Sequence, residues 1–329
     1  MNVKETIARL LKPAEGQASF NRRKLLATFS PIIGLIALFI LASSLSDSFL
    51  TTTNLTNVLR QVSVLGFASL GMTIVILTGN IDLSIIGNVS MSTTLVAVLL
   101  QQEWSVGPMI VVVMLAGSLV GLINGMILSY FQIESFVVTM GMQVVCFGMS
   151  LFIAGGRTVI VDNLAPFMLD LASVRVGMVP VMFLILLGFY LVFFIFTKKT
   201  RMGRYIYALG GNEEVCYISG VNVTLVRITA YVLSGMMAAV AGIFTFSRSL
   251  CGDPAAGQAL GMYVVAAVVI GGTKMSGGRG SVLFSIIGIL IIGIINNTLN
   301  LVGFQYYAQQ IIQGVIIILA VVLSSKRRR

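Results

Sequence analysis

This chain contains no histidine, so histidine-based general-base catalysis, Ser-His triads and imidazole metal sites are excluded by inventory. The three cysteines, Cys146, Cys216 and Cys251, fall in separate segments without CxxC-like spacing and read as small apolar side chains, not as a metal cluster or a disulfide framework. The glycine-rich run "GGTKMSGGRG" at 271–280 lacks the GxxxxGK[ST] spacing of a phosphate loop, so no ATP hydrolysis is expected here. What remains is neutral polarity inside apolar runs: Asn124 and Gln143, then Asn296, Asn297 and Asn300, then Gln309, Gln310 and Gln313. An amide both donates and accepts hydrogen bonds, so such a set suits a hydroxylated, uncharged solute without the desolvation cost of a full charge. The same amides serve equally well as hydrogen bonds between helices. Asp82 reads either as a helix N-cap or as a pathway residue. It and Glu134 are placed at the ends of apolar runs, which leaves mid-span carboxylates missing and argues against ion-coupled transport.

Residues so placed need long apolar elements to carry them. Of 329 residues 57% are hydrophobic and only 10% charged, and the mean hydropathy is +1.00. That composition leaves no room for a sizeable soluble domain. Apolar runs at 26–46, 56–78, 83–100, 107–129, 135–154, 177–196, 226–246, 258–273, 281–300 and 307–323 predict about ten transmembrane helices and an all-α fold. The count carries a margin of one, because the glycine-rich joints at 79–87 and 271–280 are candidates for re-entrant breaks. With the N-terminus inside, 17 of the 21 basic residues fall on the cytoplasmic side, and the outer side keeps Arg60, Arg157, Arg175 and Arg248. Both basic ends then lie inside and the span number is even. The net charge of +10 is thus topological, and no nucleic acid partner is expected. The reading divides the chain into a cytoplasmic segment 1–25, a transmembrane body 26–323 in contact with lipid, and a basic tail 324–329. Trp104, Tyr306 and Tyr307 are expected at the interfaces as anchors.

The longest cytoplasmic interval, with its core at 197–225, is no plain linker. Gly210 and Gly211 break the chain, Asn212 is a cap, Glu213 and Glu214 favour a helix start, and Gly220 stops the turn. A capped helix between two breaks predicts a compact docking knob. In the fourth run Gly117, Gly121 and Gly125 recur every four residues and predict a groove for another helix, within the subunit or at a subunit interface.

In this interval the chain resembles the permease subunits of ATP-binding-cassette sugar importers of the ribose, xylose, arabinose and galactose type. The resemblance rests here on Gly203, Arg204, Ala208, Gly210, Gly211, Asn212, Glu214, Ser219 and Gly220, and Arg201 and Glu213 are counted with them as the ATPase-coupling loop. Val215 and Cys216 replace two alanines common in similar chains, and Val221 an isoleucine. Three further stretches resemble the same family: "GMTIVILTGNIDLSIIG" from Gly71, "FVVTMGM" from Phe136 and "AAVVIGGTKMSGGRGSVL" from Ala266. The chain departs from the family pattern at Asn80, Ile86, Glu134, Ser135 and Lys274.

The resemblance implies a non-catalytic membrane permease in the bacterial inner membrane that moves a neutral sugar or polyol. It also implies the partners: a second permease copy, a cytoplasmic ATPase that carries the ATP and magnesium, and an extracytoplasmic sugar-binding protein. No cofactor is expected in this chain. A stand-alone secondary transporter or facilitator is the alternative, and a membrane-embedded enzyme ranks third.

Overall fold

A computed structural model describes residues 15–305, 307–312, 314–316 and 318, with side chains from Ser30 on except Ala259. Residues 1–14, Tyr306, Gln313 and the basic tail 324–329 lie outside the described residues.

The chain is almost wholly helical. Its elements are α1 (Glu15–Leu45), α2 (Thr52–Leu77), α3 (Ser84–Gln101), α4 (Val106–Phe131), α5 (Ser135–Ala154), β1 (Val159–Ile160), α6 (Pro166–Ser173), β2 (Arg175–Val176), β3 (Val179–Pro180), α7 (Val181–Lys199), α8 (Arg201–Gly211), α9 (Glu213–Ile218), α10 (Val223–Ser249), β4 (Cys251–Gly252), a 3-10 turn (Ala256–Ala259), α11 (Tyr263–Ile270) and α12 (Val282–Leu301). Seven of these, α2, α3, α4, α5, α7, α10 and α12, are long and apolar enough to cross a membrane. The first predicted run is helical but offers a shorter apolar stretch, Ser30–Leu45. The tenth is helical from Tyr307 as far as the described residues go.

The eighth run differs from expectation. Of 258–273 only Tyr263–Ile270 is α-helix, about 12 Å of rise and too short to cross by itself. Before it the chain dips alongside α3, where Gly257 packs against the Ile86 carbonyl and donates its N–H to Ser90 Oγ at 2.9 Å. Irregular backbone at this depth is tolerated because protein groups satisfy it.

Helices α2, α3 and α10 form the buried centre, while α4, α5 and α7 turn most of their surface outward. Inside a membrane apolar packing gains little over lipid contact, so close backbone approach and buried hydrogen bonds must hold the bundle. Both are present. In α4, Gly117, Gly121 and Gly125 all face α10: a Cβ at Gly121 would collide with the Tyr231 carbonyl, and one at Gly125 would come within 2.7 Å of Ile228 Cα. The glycine groove therefore serves packing within the subunit. In α3, Thr93 donates to its own Val89 carbonyl at 2.7 Å, and Asn88 Nδ2 donates to the carbonyls of Gly117 and Gly235, each at 3.2 Å.

Between α5 and α7 the chain builds a small cover that hydropathy does not reveal. Strand β1 pairs antiparallel with β4, β2 pairs with β3, and α6 packs on α10. This cover closes the end of the bundle opposite α8 and α9.

Candidate functional site

At the α8 end three chain segments meet. Thr200 caps α8 by accepting the Gly203 N–H at 3.0 Å, and Gly203 fits the turn because a side chain there would strike Phe196 and Thr197. Helix α8 buries Ile206 and Leu209 and exposes Arg201, Arg204 and Ala208. Its last turn fits into backbone. A Cβ at Gly210 would strike the Leu77 carbonyl and stand 2.5 Å from Gly278 N and 2.9 Å from Gly277 Cα. Gly278 N in turn donates to the Leu77 carbonyl at 3.0 Å, with Gly277 and Gly278 both at positive φ. Tyr207 reaches the same turn and donates to the Gly280 carbonyl at 3.1 Å. Burial raises the Tyr207 pKa, which keeps the hydroxyl protonated as that donor. Gly210 and Gly211 are the last residues of α8, and the expected break follows them at Asn212; α8 itself is amphipathic but too short and polar to show as an apolar run.

Helix α9 follows at once. Asn212 Oδ1 accepts the Val215 N–H at 3.0 Å, as an N-cap should. Glu213 makes a two-oxygen contact with Arg227 Nη2 at 2.7 and 2.8 Å, which ties α9 to α10. Glu214 is exposed, Cys216 is buried under the helix, and Ser219 and Gly220 close it, the glycine at φ +76°. Burial, and then Glu213, raise the Cys216 thiol pKa, so it stays protonated. What α9 presents outward is apolar: Val215, Tyr217 and Ile218 are 56%, 77% and 77% exposed. The side chains that replace the small residues expected here are therefore part of the presented surface in Val215, and part of its support in Cys216.

Asp82 is not at a surface turn. It is fully buried, accepts from Ser84 N at 3.0 Å and from the Ser84 hydroxyl, and takes a 2.7 Å hydrogen bond from Ser234 Oγ. Ser234 lies 11 residues beyond Val223, about 16 Å along α10. Asn124 Nδ2 donates to Ser84 Oγ at 2.8 Å, while its Oδ1 is buried with no partner. Asp82 thus lies in the α2–α3 connection, at a span end as expected, but it is enclosed by protein and not at an open turn. The Asp82 cluster clamps α3, α4 and α10 together, and neither Asp82 nor Asn124 borders a described cavity.

The other amides separate. Asn297 exchanges hydrogen bonds with Asn54 at 2.7 and 3.0 Å, Gln309 donates to Asn300 at 2.9 Å, and Tyr263 donates to Gln310 at 3.3 Å. These are interhelical ties. Gln143 borders a crevice of about 170 Å³ with Ser90 and Gln258. Asn296 borders the smaller of two polar spaces at the end opposite α8, together with Gln61 and Arg248, and Asn57 and Arg60 line the larger one beside it. The sequence signal of the two arginines is charge: Arg60 stands inside the apolar run 56–78, and Arg248 just past the run 226–246. An apolar crevice of about 450 Å³ between α1 and α2 is lined by Leu, Ile, Phe, Val and Met alone and offers a solute no hydrogen bond.

The geometry is that of a helical membrane body with an outward-facing apolar knob, and comparison with known proteins agrees. Residues 54–321 match the family described as branched-chain amino acid transport system / permease component. The chain is 35% identical over 300 residues to the ribose import permease protein RbsC of Bacillus subtilis (strain 168), covering 90% of this chain and 92% of that one. It is 34% identical over 300 residues to the D-allose transport system permease protein AlsC of Escherichia coli (strain K12), 90% of each chain. With the L-arabinose ABC transporter permease protein AraH of Azospirillum brasilense it shares 31% over 293 residues, 89% of this chain and 86% of that one. No solved structure matches. The chain therefore belongs to this family of transport-system permease components.

Proposed function

We propose that this chain is the membrane permease of an ATP-driven importer for a sugar or polyol, working as a pair of permease copies. A cytoplasmic ATPase subunit hydrolyses magnesium-ATP, and an extracytoplasmic binding protein delivers the solute. In this reading the α8–α9 end is cytoplasmic, the body crosses the bacterial inner membrane about ten times, and both termini lie inside. The observation that carries it is α9: a capped helix that exposes Val215, Tyr217 and Ile218 while its other face is fixed by Cys216 and the Glu213–Arg227 pair. Large apolar side chains held rigidly in water mark a docking surface. Force applied there has a path inward, because α8 is wedged by Gly210 against the end of α2 and the 277–278 turn, and α9 is tied to α10. Displacement of the knob moves the two buried central helices directly.

The test uses permease, ATPase and binding protein reconstituted together. Glu214→Arg, Gly211→Pro and Tyr217→Asp should insert normally and lower ATP-driven uptake roughly 30-fold, the loss expected from one hot-spot contact of about 2 kcal/mol. Normal ATP-driven uptake by these variants, or uptake by the purified permease without the ATPase, would overturn the reading. The buried Asp82, with both oxygens engaged by serine groups, fits a structural clamp, and a substitution there tests whether it does more.

A further inference from the structure

The force path through α2 and α10 leaves out a third element that α8 touches, and that one leads deeper. Helices α11 and α12 form a hairpin closed backbone to backbone: a Cβ at Gly288 would strike the Ala267 carbonyl, and one at Gly271 would stand 2.6 Å from the Phe284 carbonyl. The turn that joins them is braced by its own hydrogen bonds, from Lys274 N to the Arg279 carbonyl and from Gly277 N to the Lys274 carbonyl, each at 2.9 Å. Packing this close leaves the two helices no room to slide, so the hairpin moves as one body.

Tyr207 of α8 is fastened to this hairpin. Its hydroxyl donates to the Gly280 carbonyl at 3.1 Å, and Lys198 Nζ, from the last turn of α7, lies 5.3 Å from the centre of its ring. Among the described residues this is the one hydrogen bond between α8 and the 271–280 turn. The backbone contact of Gly210 with Gly277 and Gly278 transmits a push, whereas only the Tyr207 bond resists separation. The hairpin's other end lies inside the bundle. The chain enters at Gly252, against Thr94 and Ala97 of α3, and by Gly257 it lies against Ile86, about two turns further along that helix. In this dip Ala256 and Leu260 border the smaller polar space, while Gln258 borders the crevice shared with Ser90 and Gln143. Helix α11, about 12 Å long, joins the dip to the joint at α8.

We propose that Tyr207 is a positioning residue of the transport cycle: its bond to Gly280 couples α8 to the α11–α12 hairpin, and the hairpin carries the movement to the 252–262 dip, which partitions the solute path. The proposal deepens the importer reading and rests on it, because the ATPase supplies the movement. With the bond intact, a displacement of α8 in either direction takes α11 with it. Without the bond, α8 pushes the turn through Gly210 but does not draw it back. The choice of solute stays with the binding protein, and the dip needs only to open and close.

The test uses the permease–ATPase complex in nanodiscs, with Cys146, Cys216 and Cys251 replaced by alanine and Gln258→Cys as reporter, since that side chain is exposed in the dip. Ethyltrimethylammonium methanethiosulfonate is applied without nucleotide, and again after trapping with magnesium-ATP and vanadate. With Tyr207 present the two states should differ about fivefold in reaction rate, the worth of one neutral hydrogen bond. Tyr207→Phe removes only the hydroxyl and should bring the ratio close to one, at an unchanged size-exclusion profile and yield of complex. A merely structural role would slow or speed both states alike and leave the ratio standing. Gln102→Cys, in the turn after α3, should react at one rate throughout. Equal rates at Gln258→Cys in the two states with Tyr207 present, or an undiminished ratio in Tyr207→Phe, overturns the proposal. Failure of the importer reading looks different: the ATPase would not co-elute with the permease, and this proposal would fall with it.

Discussion

Asp82 shows how much a single buried carboxylate decides. Each of its oxygens is engaged, one by Ser84 N and Oγ and the other by Ser234 Oγ, and no cation pairs with it among the described residues. A carboxyl in that setting is either a structural acceptor or a proton carrier, and the two roles respond differently to substitution. Asp82→Ala orphans two buried hydroxyls and should cost about 1–3 kcal/mol for each group left unpaired, seen as a lower unfolding temperature in detergent. Asp82→Asn keeps one acceptor, and Ser234 Oγ is able to turn and accept from the new amide. It should hold both stability and ATP-driven uptake near wild type. Loss of uptake in Asp82→Asn with stability intact would make Asp82 a working group of the transport cycle and not only a structural acceptor. The residue types around Asp82 fit an N-cap as read from the sequence, but its burial was hidden, because the partner Ser234 is 152 positions away along the chain.

Elements whose pattern is a long apolar run were legible from composition alone, which is why the seven long helices fall where hydropathy places them. Those that failed to show have other physics. Helix α8 is amphipathic and glycine-rich, α11 is a short helix preceded by an irregular dip, and the β1–β4 and β2–β3 pairs are two residues long. None of these produces a membrane-length signal. The α4 glycine groove was legible as a groove, whereas its occupant was not, since nothing local says that α10 and not a second copy fills it. That contact makes a clean prediction. Gly121→Val places atoms inside the Tyr231 carbonyl and should destabilise by about 3 kcal/mol or prevent insertion, the usual scale of overpacking. Gly141→Val, on the outward face of α5 with nothing within 4 Å of a new Cβ, should unfold at the wild-type temperature. Comparable melting of the two variants by thermal size-exclusion would mean that α4 and α10 do not approach so closely.

At the scale of the whole molecule the two ends are chemically unlike, and that asymmetry has a direction. One end carries α8, α9 and the glycine joint; the other carries the α6 cover, the Arg60–Arg248 space and the turn at 102–105 between α3 and α4. In the proposed reading the bias of basic residues sets the first end in the cytoplasm, where a polybasic surface is retained during insertion. Helices α3 and α10 both start near the α8 joint and run away from it, while α2 and α4 run toward it, so a single side assignment fixes every loop at once. Two cysteine positions are enough to test it in a background with Cys146, Cys216 and Cys251 replaced by alanine. Gln102→Cys, in the exposed turn after α3, should react with a membrane-impermeant maleimide in intact cells. Tyr217→Cys, at the tip of α9, should react only after permeabilisation. The inverse pattern would put α9 out of reach of any cytoplasmic ATPase, and the importer reading would fall. Labelling of both positions from outside would mean that the chain between them crosses a different number of times than the helices require.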